Sequence, residues 1–124
     1  MEFGGWSLLG LLTDQGLLTP LQEQFFRAGH AHAGVLLILA LVYLILMDRT
    51  TLSPTRQRRW GLVLLAGIIL QSGGFFLHMM VGEEGRASLG TLSTRIGAVI
   101  LAAALVRLAA GLFRGTRTES PVAG

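Results

Sequence analysis

The chain has 124 residues and a formal net charge of +3, with all ten of its basic residues arginine. Its mean hydropathy is +0.62, 52% of its residues are hydrophobic and only 14% are charged; a soluble domain of this size cannot bury so much apolar surface, and a disordered chain would not carry it. The absence of cysteine excludes disulfides, thiolate metal centres, iron–sulfur clusters and cysteine nucleophiles.

Residues 3–12 are apolar but too short to span a bilayer, and Asp14 and Gln15 follow them. Trp6 suits an interfacial position. Residues 1–19 therefore read as a segment lying on the membrane, or as the end of a further span. No basic n-region precedes them, so no signal peptide is expected. The first helix opens at Thr19, with Pro20 at its first position and Gln22 completing a capping box. Its uncharged stretch, 28–47, is long enough to cross, and Asp48, Arg49, Thr50 and Thr51 end it. A second helix restarts at Ser53 and Pro54 and spans 60–82. The third begins near Thr91 and spans 94–113, broken by Arg107. Residues 115–124 form a polar tail. The expected fold is an all-α integral membrane protein, a bundle over 20–114 with three transmembrane helices, or four if the N-terminal stretch completes another.

Arginine placement sets the orientation. Arg49, Arg56, Arg58 and Arg59 lie in the first loop, and Arg114 and Arg117 in the tail. The other side holds Arg27, Arg86 and Arg95 among most of the carboxylates. The first loop and the C-terminus are expected to be cytoplasmic, with the protein in the cell inner (plasma) membrane. The high pI belongs to this flank of arginines and not to a nucleic-acid site; its contacts are lipid headgroups.

Polar residues inside a span are expensive and mark candidate sites. With this topology His30, His32 and His78 fall in the external leaflet, near Arg27. Glu23, Arg27, His30 and Gly34 form one helical stripe, and His32 lies on another face. On the second helix Gly67, Gln71, Gly74, His78 and Gly82 form a stripe of small and polar residues. Gly97 and Ala104, with Gly111, supply a groove on the third. Small residues permit close helix approach in lipid, so Gly67, Gln71, Gly74, Gly82, Gly97 and Ala104 are the expected packing positions.

Three readings of the histidines stay open. His30 and His78 can be neutral imidazoles bonded across a helix contact. They can be axial ligands of haem b, with Arg27 at a propionate. They can hold copper, with Met79 and, less centrally, His32. No intramembrane carboxylate stands by as a base for zinc hydrolysis, and no catalytic residue is assigned.

The segments Phe26-Arg27-Ala28-Gly29-His30-Ala31-His32-Ala33-Gly34 and Gln71-Ser72-Gly73-Gly74-Phe75-Phe76-Leu77-His78-Met79 resemble those of a family of small polytopic membrane proteins from high-GC bacteria, which fits the absence of lysine. The resemblance covers most of residues 3–113. It implies a four-span bundle and carries no activity with it. Two functions follow as expectations: a haem-binding subunit serving electron transfer, or a structural or accessory membrane protein without cofactor. A small channel or transporter is a third. Three thin helices bury little of their surface, so a homo-oligomer or a place in a larger complex is also expected.

Overall fold

The structure, a computed structural model, describes residues 18–118, with the side chains of 115–118 outside the description. The N-terminal stretch, and with it the expected interfacial segment or fourth span, lies outside the described residues. Three helices follow in order: α1 over Pro20–Met47, α2 over Pro54–Val81 and α3 over Leu89–Thr118. Each is long and apolar enough to cross a membrane. The protein is an all-α bundle, and its apolar helices place it in a lipid bilayer as a multi-pass protein.

At 1.5 Å per residue, the 28 residues of α1 or α2 reach about 42 Å. That exceeds the hydrocarbon thickness of about 30 Å, so both ends project into the headgroup layers. The first turns of α1 and α2 are polar. α1 begins with the Thr19 hydroxyl accepting from the Gln22 N–H while the Gln22 side chain accepts from the Thr19 N–H, at 3.3 and 3.0 Å. A cap of this kind contributes about 1 kcal/mol and carries the helix eight residues beyond its apolar stretch. Ser53 behaves differently. It precedes Pro54 in extended conformation, but its side chain makes no cap hydrogen bond. The proline alone organises that start.

α2 and α3 pack at backbone distance. A Cβ built on Gly67 would lie 2.9 Å from Leu101 Cγ, and one on Gly97 would lie 2.8 Å from the Gly67 carbonyl oxygen and from Gln71 Cα. One on Gly74 would lie 2.7 Å from the Thr94 amide nitrogen. Side-chain hydroxyls stitch the same contact. The Ser93 hydroxyl donates to the Leu70 carbonyl at 2.9 Å, and Thr94 donates to the Gln71 carbonyl at 3.3 Å. In lipid this combination of small residues and inter-helix hydrogen bonds replaces the hydrophobic drive that holds soluble helices together.

α1 closes the bundle with larger side chains. Leu36, Tyr43 and Met47 meet Leu64, Ile68, Leu101, Ala104 and Leu108 in one buried cluster. Tyr43 is 1% exposed, and its hydroxyl donates to the Ala104 carbonyl at 3.4 Å, which ties α1 to α3. Beyond Met47 the turn folds back. The Thr50 hydroxyl and the Gln57 amide both donate to the Met47 carbonyl, and the Thr50 methyl fills the space that a Cβ on Gly111 would need. The outer face of α1, from Val35 through Ile38, Leu41 and Ile45, is apolar and uncovered, as lipid requires.

Candidate functional site

The short loop between α2 and α3 builds the most elaborate polar cluster among the described residues. α2 ends at Val81, and its last turn is closed by the Gly82 N–H donating to the His78 carbonyl at 2.7 Å. Gly85 then adopts φ +72°, a conformation in which a Cβ is costly. The turn delivers Ser88 under the end of α2, where its hydroxyl oxygen sits 2.7 Å from His78 Nδ1. Thr91 Oγ1 lies 3.3 Å from the same nitrogen.

The protons in this cluster can be placed by counting donors. Ser88 Oγ accepts from the backbone N–H groups of Gly90 and Thr91, at 3.1 and 3.4 Å. A hydroxyl has two acceptor lone pairs and one proton. With both lone pairs occupied, the Ser88 proton is best placed toward His78 Nδ1. Thr91 Oγ1 also accepts a backbone bond, from the Ser88 N–H at 3.2 Å, and keeps one lone pair and one proton beside Nδ1. This count favours the His78 tautomer with its hydrogen on Nε2. His78 as a residue is 6% exposed. Phe25 of α1 covers it, ring centroids 4.2 Å apart, and Gly82 leaves room for it: a Cβ there would come within 2.6 Å of the imidazole. Gly90 does the same for the His78 backbone.

The other two histidines keep separate company. Among the described residues His32 makes one hydrogen bond, within its own helix, and one ring contact: Nδ1 lies 2.9 Å from the Ala28 carbonyl, and the imidazole centroid 4.6 Å from that of Phe75. His30 stacks on Phe26 at 6.5 Å. Among the described residues no hydrogen bond or ring contact joins His30 to His78, and no group of three or more histidines or carboxylates could hold a metal ion. Arg27 pairs with Glu23 at 2.9 Å on an exposed face. Met79 is half-buried and Met80 exposed.

Two expectations about helix faces change. α1 turns Phe25, Phe26, Gly29 and His32 toward α2, instead of Glu23, Arg27, His30 and Gly34. Phe76 occupies the space beside Gly29, 3.0 Å from where a Cβ would stand, whereas nothing approaches Gly34. Aromatic rings filling a glycine notch gain more contact than a charged stripe that an internal ion pair already satisfies. Gly82 is likewise not part of the inter-helix stripe. It caps α2 and faces the ring of its own helix's His78. Gly67, Gln71, Gly74, Gly97 and Ala104 do lie at helix contacts, with Ala104 fully buried and Gln71 taking part through its backbone.

Ser88, Thr91, Ser93, Thr94 and Phe25 carry much of this architecture and escape composition-based reading. The available signal is the spacing Gly90, Thr94, Gly97, Ala104, Gly111, a continuous small-residue face on α3 that places neighbouring hydroxyls against α2. Comparison with protein-family models, with curated proteins and with solved structures finds no match.

Proposed function

We propose that this protein is a structural or accessory membrane subunit in which the histidines hold helices and loop together, without catalytic activity or cofactor of its own. The observation that carries this reading is the hydrogen-bond network of His78. An axial or metal-ligating histidine usually donates one ring N–H to a carbonyl or carboxylate and offers the other nitrogen's lone pair to the metal. His78 is wired in the reverse sense. Its Nδ1 accepts from Ser88, so Nε2 carries hydrogen and has no lone pair in the ring plane to offer. The separate partners of His30 and His32 support the same conclusion. A place beside further helices, in a homo-oligomer or a larger complex, is part of the proposal because three thin helices bury little of their surface, although the apolar face of α1 suits lipid equally.

The direct experiment is purification from cells supplied with haem and copper, followed by visible absorption and metal analysis. The expected preparation is colourless and free of stoichiometric metal. A haem band, or about one copper per chain, lost on His78→Ala, would replace this reading with the haem b or copper centre that His30 and His78 suggest from sequence alone.

The orientation proposed is the loop 49–53 and the C-terminus in the cytoplasm, and the loop 82–88 outside. It rests on the four arginines from Arg49 to Arg59 and on Arg114, which share one end of the bundle. A cysteine at Glu84 should react with an impermeant thiol reagent on intact cells, and one at Arg58 should not. The opposite labelling would invert the protein.

A further inference from the structure

Beside the His78 cluster a cleft of about 580 Å³ opens between the end of α2 and the first turns of α3. Phe25 and Phe75 form its apolar wall. His78, Thr91, Arg86 and Arg95 border it, and among the described residues no carboxylate does. Two of these groups are left with unused donors. Arg95 is exposed, about 9 Å along α3 from Leu89, and forms no ion pair or hydrogen bond among the described residues. Arg86, by contrast, is held by Glu83 at 2.7 Å. The second group is the Nε2–H of His78. The Ser88 network favours hydrogen on that nitrogen, His78 borders the cleft at 6% residue exposure, and among the described residues no hydrogen bond to Nε2 is formed.

A guanidinium and an imidazole N–H bordering one cleft form a donor set suited to an oxyanion, and charge-assisted bonds to phosphate are the strongest that such donors make. The level of the cleft narrows the source. It lies at the last turn of α2 and the first two turns of α3, where the helices leave the hydrocarbon and lipid phosphates reside. Its aromatic wall suits the apolar part of an amphiphile, and its volume exceeds what a bare oxyanion fills.

We propose that this cleft is a binding site for the phosphate of an anionic membrane lipid, held by Arg95 and the Nε2–H of His78, with the lipid's apolar portion along Phe25 and Phe75. The site does not depend on the accessory role proposed above, and its test reads bound lipid and not colour or metal.

The full chain in neutral detergent is titrated with phosphatidylglycerol, with phosphatidylcholine and separately with inorganic phosphate, and bound species are counted by native mass spectrometry. Phosphatidylglycerol should be retained at least tenfold more tightly than phosphatidylcholine. Arg95→Gln should lower that preference severalfold, and Arg95→Lys should keep most of it. Unchanged retention in Arg95→Gln overturns the site. Displacement of the lipid by millimolar inorganic phosphate overturns the lipid assignment in favour of a free oxyanion. If Arg95→Gln does not fold, the wild-type protein and Arg95→Lys still decide: no preference for the anionic lipid in either overturns the proposal.

Discussion

Replacing Gly97 by valine should break the α2–α3 contact. The added Cβ would point into the backbone of Gln71 and Gly67, with atoms as close as 2.8 Å even after the nearest is set aside. Backbone in a helix cannot rotate away as a side-chain tip can, so the two helices must separate. Overpacking of this kind costs about 3 kcal/mol, and separation also strains the Ser93 and Thr94 hydrogen bonds to α2. Gly74→Leu should behave alike, since Thr94 and Gly90 stand on the corresponding side. Leu65→Ala is the comparison: Leu65 is 46% exposed on the outer face of α2, and its loss should change stability by about 0.5 kcal/mol or less. Unfolding in mixed detergent measures all three. Equal destabilisation by Gly97→Val and Leu65→Ala would contradict the packing described.

His78→Ala should open the 82–88 loop while leaving the three helices in place. It removes the acceptor of the Ser88 proton and the surface on which Phe25 rests. Polar contacts between membrane helices average about 0.6 kcal/mol and reach about 1.7, and the lost Phe25 contact adds to that. The local effect exceeds the global one. Ser88 still caps the first turn of α3 through Gly90 and Thr91, but its hydroxyl then loses its partner on α2. Arg86 is the exposed tryptic site in this loop, so limited trypsin treatment should cut there several times faster in His78→Ala than in the wild type. His30→Ala, which removes only a loose stack on Phe26, should leave the rate unchanged. Equal acceleration by both substitutions would mean that the two histidines act as a pair.

The fold was legible because its signals are one-dimensional. An apolar stretch of about twenty residues needs no tertiary context to declare a span. Thr19-Pro20-Leu21-Gln22 encodes a cap in four consecutive residues, and the structure contains that capping box. The small residues of α2 and α3 read as a contact face because glycine in a lipid-facing helix has few other uses.

The site was harder for a physical reason. In lipid both the inward and the outward faces of a helix are apolar, so Phe25 looks the same whether it covers His78 or faces acyl chains. Periodicity singled out His30 because it shares a stripe with charged residues, yet that stripe is satisfied by its own Glu23–Arg27 pair and needs no partner helix. Ser88 falls in the loop and Thr91 at the expected start of the third helix, and neither position marks a partner on α2. Their role depends on Gly85 bending the loop back under α2, a conformation that a glycine permits but does not announce.

The claim on which the account turns is that His78 carries its hydrogen on Nε2 and accepts at Nδ1 from Ser88. Nitrogen-15 NMR of the histidine side chains in the detergent-solubilised protein reads this directly, with Ser88→Ala as the companion sample. The expected spectrum shows one histidine with a protonated Nε2 and a bare, hydrogen-bonded Nδ1, and Ser88→Ala shifts that Nδ1 signal. A His78 with hydrogen on Nδ1 and a bare or metal-bound Nε2 would contradict the account.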